Sequence, residues 1–192
     1  MIFREVEDRD LVAKASRGDV DAYNLLVSRW ERRVFNYVLR LTGNREDAMD
    51  VTQDAFLKAY RSLGKLDDPG RFAPWLFRIA HNESFSLLRK SKPEAGEDAG
   101  EPEPLPPGRA RLLPVETSIA VNAALARLTP EQKEAVVLKV YQGFKFEEMA
   151  EILDCPVSTV KSRLYTAMEL LKGTLAPMDA RRQHRSGGGG GD

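Results

Sequence analysis

Residues 128–164 read LTPEQKEAVVLKVYQGFKFEEMAEILDCPVSTVKSRL. Thr129 as N-cap, Pro130 at the first helical position and Gln132 three residues after the cap form a capping box. The helix it starts is expected to run to about Gln142, where Gly143 ends it. A short helix from Phe146 to Leu153, a tight turn at Asp154-Cys155-Pro156 and a longer helix from about Val157 to Lys172 follow, which is the spacing of a helix-turn-helix. Ala150 is small where the two helices would cross, and Val160 can fill the space between them. Asp154 stands where such a turn needs a left-handed residue, which Asp tolerates better than most. The exposed start of the second helix then presents Ser158, Thr159, Lys161, Ser162, Arg163 and Tyr165, groups able to reach phosphates and base edges in a major groove. A trihelical domain without DNA can show the same pattern, so the rest of the chain must decide.

Working outward, a helix at about 117–127 opens this module. Before it lies PEAGEDAGEPEPLPPGRARLLP (93–114), with six of the eleven prolines, no aromatic residue and an acid excess, a composition that holds neither helix nor ladder. After Leu175 come an Arg-rich patch (Arg181, Arg182, Arg185) and five consecutive glycines, the composition of a flexible tail. Domain bounds of 1–91, linker 92–115, 116–175 and tail 176–192 follow.

In the first module Tyr23, Leu26, Val27, Trp30, Val34, Tyr37, Val38 and Leu41 recur at three- and four-residue steps, the mark of a long amphipathic helix that Gly43 stops. Asn44 caps the next helix, about 45–62, with Glu46 and Asp47 in its first turn, where the dipole favours acids. Ala48, Val51, Thr52, Ala55, Phe56 and Ala59 form its buried stripe, while Asp47, Asp50, Gln53, Asp54 and Leu57 line a second face. Asp67-Asp68-Pro69-Gly70 marks a loop, and Pro74 is expected to begin a helix reaching about Lys90. No alternating strand pattern of useful length occurs, so the expected class is all-α, two small helical domains on a flexible tether.

The chain of 192 residues carries 29 basic and 29 acidic side chains, which argues against a simple basic nucleic-acid coat. By segment, residues 1–90 hold 16 basic and 14 acidic groups, residues 91–118 hold 3 and 6, and residues 119–175 hold 7 and 7. The excess acid sits in the linker. Cys155 is the single cysteine and His81 and His184 the only histidines, which excludes an internal disulfide framework and a His/Cys metal cluster. Neither a secretory signal nor an apolar run of about 20 residues is present, so a cytoplasmic protein without membrane insertion or cofactor is expected.

From Asp67 to Lys90 aromatics (Phe72, Trp75, Phe77, Phe85) alternate with Arg71, Arg78, Arg89 and Lys90, as single-stranded nucleic acid requires, although Trp75 with Leu76, Ile79 and Ala80 at helical spacing reads more readily as core. Taken with DAMDVTQDAFLKAYRSL (47–63), FAPWLFRIAHN (72–82) and the 128–164 stretch, in that order, the chain resembles a bacterial RNA polymerase sigma factor of the extracytoplasmic-function group, the compact class with only the second and fourth sigma regions.

The resemblance implies partners and contacts. Asp47, Asp50, Gln53, Asp54 and Leu57 would bind the clamp helices of the β′ subunit of core RNA polymerase, and the second domain would meet the flap of the β subunit. Lys65, Asp67, Asp68, Arg71, Phe72, Trp75, Arg78 and Asn82 would read the minus-10 element, the 65–74 loop trapping a flipped base, whose extrusion costs a few kcal/mol. Ser158, Thr159, Lys161, Ser162, Arg163 and Tyr165 would read the minus-35 element. An anti-sigma factor is an implied partner. Thr166 and Met168 replace the Arg-rich continuation usual in relatives, which reduces phosphate anchoring. Two other classes compete: a stand-alone helix-turn-helix regulator, and a small all-α enzyme. The second finds no Ser/His/Asp set and no phosphate-binding glycine loop.

Overall fold

The computed structural model describes residues 6–91, 121 and 123–185; the linker expected at 92–115 lies outside them. Among the described residues there are helices and no strand. Helix α1 is Asp8–Ala15, α2 is Val20–Thr42 and α3 is Arg45–Ser62. Gly43 closes α2 at φ +72°, donating its N–H to the Leu39 carbonyl, and Asn44 caps α3 through its side chain on the Asp47 N–H. These are the stop and start that the glycine and asparagine predict, because the left-handed turn carries no Cβ penalty at glycine.

Short 3₁₀ turns at Leu63–Lys65 and Pro69–Arg71 lead into α4, Phe72–Ser91. This helix begins two positions before Pro74, because Asp68 caps the preceding 3₁₀ turn by accepting from the Gly70 N–H, and Pro69 takes the first-turn role. Pro74 still falls within the first turn, where its missing N–H is not needed. Helices α2, α3 and α4 bury the stripes expected of them: Leu26, Val34, Tyr37 and Val38 from α2, Ala48, Ala55 and Ala59 from α3, Leu76 and Ala80 from α4; Phe77, grouped by sequence with the stacking aromatics, is buried as well.

The second module contains α5 (Pro130–Val136), α6 (Phe146–Ile152) and α7 (Val157–Arg185). Thr129 and Gln132 form both arms of the capping box. The helix expected to reach Gln142 changes character midway, since Val137–Gln142 is π-helical before Gly143 closes it at φ +78°. A π turn places one more residue in the ring than an α turn. It lets Val137 and Leu138 remain buried while Tyr141 and Gln142 turn toward the first module. Residues 123–126 are helical, so the helix expected at 117–127 is seen in its last part only. Helix α7 continues to Arg185, beyond the limit its apolar spacing sets, through part of what composition assigns to a flexible tail; Ala, Arg and Gln in that stretch favour helix.

The modules do not stand apart. Their buried residues belong to one apolar cluster running from Leu11 to Leu171, with α4 packed along α6 and α2 against the π segment. Phe77 of α4 meets Phe144 edge-on at 4.9 Å. Arg33 donates to the Gln142 carbonyl at 2.9 Å while the Gln142 amide donates to the Arg33 carbonyl at 3.3 Å, and the Arg40 guanidinium lies 3.8 Å from the centre of the Tyr141 ring.

At the centre of this contact sits Glu134, 0% exposed. Its Oε1 accepts from the Tyr37 hydroxyl and lies 2.7 Å from His81 Nδ1, both from the first module. Burial, and next the Glu134 charge, hold the Tyr37 hydroxyl well above its ordinary pKa, so it stays a donor. Oε2 is buried and lacks a hydrogen-bond partner among the described residues. Removing one donor from a buried carboxylate costs about 1–3 kcal/mol. Tyr37→Phe is therefore expected to lower the unfolding free energy by that amount, measured by urea denaturation; a loss below about 0.5 kcal/mol would show that the carboxylate does not depend on the hydroxyl.

Candidate functional site

Three surfaces gather the residues that the sequence singles out. The first lies between α2 and α3. A groove of about 660 Å³ runs there, lined in part by Val27, Phe35, Met49, Asp50, Gln53 and Leu57. Of the predicted set, Asp50, Gln53 and Leu57 line it, whereas Asp47 and Asp54 lie on α3 outside its lining. Leu57 is 47% exposed although apolar. The sequence reading missed the apolar floor. Met49, Gln53, Leu57 and Tyr60 recur at helical steps, and the predicted set takes Gln53 and Leu57 from this row but not Met49 or Tyr60.

The second surface is built around the loop before α4. A cleft of about 330 Å³ is lined by Lys65, Leu66, Asp67, Asp68, Arg71, Pro74, Trp75 and Arg78, and by Glu151 of α6. Both loop carboxylates are exposed, and Asp68 is committed to its own turn, accepting from the Gly70 N–H, and lies 3.8 Å from Arg9. Arg71, Trp75, Arg78 and Asn82 follow one another at three- and four-residue steps and so share one side of the chain as it enters and follows α4. Phe72 is the exception among the predicted residues. At 1% exposure it is part of the core, its ring 6.0 Å from that of Trp75, because position 72 falls on the same buried stripe as Leu76. Asn82 is exposed and lies outside the cleft lining.

The third surface is the start of α7. Asp154 adopts φ +50°, the left-handed turn expected of it, and the Cys155 N–H donates to the Ala150 carbonyl at 3.1 Å. Val160, Leu164, Ala167 and Leu171 form the buried stripe. This orients Ser158, Lys161, Ser162 and Tyr165 outward, with Thr159 and Arg163 half-buried at the edges. Tyr165 is 59% exposed. Two cations are positioned by neighbours: Lys161 Nζ sits 5.3 Å from the Phe146 ring centre, and an Arg163 nitrogen lies 3.9 Å from the Cys155 sulfur. The six residues predicted to read DNA thus emerge from one helix end that follows the left-handed turn at Asp154.

Charge is local on these surfaces. The first mixes acid with apolar area, the second pairs cations with an aromatic ring, and the third sets hydroxyls among cations. No group of His, Cys, Asp and Glu among the described residues could hold a metal ion, and no described helix is long and apolar enough to cross a membrane. His81, with its ring facing Glu134 and Phe85, is a packing residue between modules and lines neither the groove nor the cleft.

A helix-turn-helix joined to a second helical module with an acidic groove and an aromatic, cationic loop defines a two-domain, all-α DNA-binding protein. The family models make it specific: the sigma-70 region 2 model matches residues 26–94 and the sigma-70 region 4 model matches residues 118–171. The chain belongs to the sigma-70 family of RNA polymerase sigma factors, in the extracytoplasmic-function group. It is 33% identical to the ECF RNA polymerase sigma-E factor of Escherichia coli over 91% of this chain and 97% of that one. It is 30% identical to the RNA polymerase sigma-H factor of Pseudomonas aeruginosa over 90% of this chain and 95% of that one. Among solved structures, that of CnrH in complex with the cytosolic domain of CnrY covers 88% of this chain with a TM-score of 0.68 and 29% identity. The stand-alone regulator is not favoured, since both modules match sigma regions and near-full-length relatives are sigma factors.

Burial pushes the Cys155 thiol above its ordinary pKa, and the nearby Arg163 charge opposes that only in part. A raised pKa means less thiolate at neutral pH, so iodoacetamide should alkylate Cys155 at pH 7.5 at least about fivefold more slowly than in the urea-unfolded chain. Mass spectrometry of the time course checks this; equal rates would show an ordinary, accessible thiol.

Proposed function

We propose that this sigma factor engages its polymerase and promoter through the three surfaces in the manner their chemistry favours. The groove between α2 and α3 takes the clamp helices of the β′ subunit. Asp50 and Gln53, flanked by Asp47 and Asp54, meet basic and amide groups, while Leu57 and the apolar floor supply burial; complementary charge at such a rim sets encounter rate and register more than affinity. The Lys65–Pro74 loop and the adjoining face of α4 engage the melted minus-10 strand. Trp75 offers a stacking surface, and Lys65, Arg71 and Arg78 attract the phosphates of a splayed strand. The start of α7 enters the major groove of the minus-35 element, which stays duplex, with Lys161 and Arg163 on phosphates or guanine edges and Ser158, Thr159, Ser162 and Tyr165 completing the contacts.

The observation that carries this reading is the separation of chemistries: an aromatic ring between arginines at the loop, suited to unstacked bases, and a hydroxyl-rich helix end, suited to duplex edges. Neither surface holds groups arranged for covalent chemistry, and we assign the protein no enzymatic step. It works in the cytoplasm, where core polymerase is found. CnrH is solved with the cytosolic domain of CnrY, and we assign this chain a regulatory protein partner too, an anti-sigma factor.

In vitro transcription with purified core polymerase tests the assignments one by one. Arg163→Ala should reduce initiation about tenfold at promoters that depend on a minus-35 element, the scale of one lost base or phosphate contact. Loss confined to minus-10 changes would contradict the placement. Arg71→Ala with Arg78→Ala should lower open-complex formation about tenfold or more at all promoters, with core binding intact in a pull-down. Unchanged opening would remove the loop from minus-10 recognition.

A further inference from the structure

Helix α1 contributes to none of the three surfaces, and it lies outside residues 26–94, the stretch that the region 2 model matches. It is nevertheless firmly seated. Leu11, Val12 and Ala15 are buried in the common core. One oxygen of Asp8 accepts from Trp30 Nε1 at 2.8 Å and the other from Arg29, which also donates to the Val6 carbonyl at 2.9 Å. Trp30 is itself a core residue of α2, so a carboxylate bridging its indole N–H and a guanidinium fixes the register of α1 on α2.

The next residue faces the other way. Arg9 Nη2 lies 3.8 Å from Oδ1 of Asp68, and α1 packs on the Pro69–Arg71 turn. The same Asp68 oxygen accepts from the Gly70 N–H at 2.9 Å and closes that turn, over a residue whose Cβ, were there one, would stand 3.2 Å from it. The Arg71 N–H then donates to the Asp68 carbonyl at 2.9 Å.

We propose that α1 braces the minus-10 loop, with Asp8 and Arg9 as positioning residues that hold the Asp68–Gly70 turn and so aim Arg71 at the melted strand. The inference rests on the minus-10 assignment above. A 3₁₀ turn of three residues has poor hydrogen-bond geometry and little stability of its own. Whatever order it lacks before binding must be supplied by the contact with DNA, and a brace that supplies it beforehand strengthens that contact. The exposed Arg9–Asp68 pair is weak taken singly. Its partner is delivered by a helix already fixed at the adjacent residue, so little further ordering is needed to form it.

The test uses the full chain in holoenzyme with core polymerase, on a promoter that the unaltered holoenzyme melts, with opening read by permanganate reactivity of unpaired thymines. Asp8→Ala and Arg9→Ala should each lower opening at least about threefold, within the range of one displaced ion pair. The sign at Asp8 is informative, because removing an acid near a polyanion by itself favours binding, whereas loss of the brace opposes it. Arg9→Lys, which keeps the charge beside Asp68, should open promoters as the unaltered chain does. Core binding, read by competition with the unaltered chain, should stay within about twofold, since neither residue lines the α2–α3 groove. In an Arg71→Ala background the two alanine substitutions together should cost less than about twofold, because residues that act through one another are not additive. Unchanged or faster opening by Asp8→Ala overturns the brace. So does a loss that persists in full without Arg71, which would mark direct DNA contact or general loosening of the fold, or one matched by an equal loss of core binding. The minus-10 assignment fails separately, through unchanged opening by the Arg71→Ala, Arg78→Ala variant, so the two failures are distinguishable.

Discussion

A carboxylate removed from water is costly, by several kcal/mol even after relaxation, and a protein keeps one only where its partners are placed to offset that cost. Glu134 is such a group, and its partners Tyr37 and His81 are separated from it by 97 and 53 residues. They belong to the module that carries the groove and the loop, whereas Glu134 belongs to the module that carries the reading helix. The position of each functional surface relative to the others follows from this contact. It ties α5 to α2 and α4, and beside it α4 packs along α6, which brings Arg71, just before α4, and Arg78, on α4, next to the helix-turn-helix.

Within each module the structure was largely legible from sequence, because the signals there are local. Gly43, Asn44 and Thr129 act on backbone groups within a few residues of themselves, and the stripes on α2 and α3 need only a helical period to be read. Asp154 was legible for the same reason, since the turn demands a left-handed residue and Asp supplies one. Phe72 was misread because aromatic residues beside arginines satisfy two descriptions at once, core and stacking platform, and only the phase of the buried stripe separates them. The π segment was invisible because nothing in the residues 137–142 distinguishes it from an α-helix; it arises from the demand that Tyr141 and Gln142 reach the other module.

The docking of the two modules was not legible at all. Nothing around Glu134 sets it apart from other helix acids, His81 enters the sequence reading only as one of two histidines, and the proline-rich stretch argues for independence. A buried acid is recognised only with its donors, and donors so far apart in the chain leave no pattern in a window of sequence. Exposed residues are legible by type. Their partners are not.

The equality of 29 basic and 29 acidic side chains takes on a different sense in this light. A DNA-binding protein with a surplus of exposed cations attracts phosphate everywhere, because that attraction is insensitive to sequence. Here acids accompany the cations in specific pairs. Arg71 faces Glu151, Arg78 faces Asp154, and Lys58 faces Glu83 at 2.6 Å. The field that reaches solvent is weakened at the cleft before α4, while Lys161, at the start of α7, faces an aromatic ring instead of an acid. The equal totals thus arise from acids placed beside particular cations and from the acid excess of residues 91–118, not from a surface poor in charge.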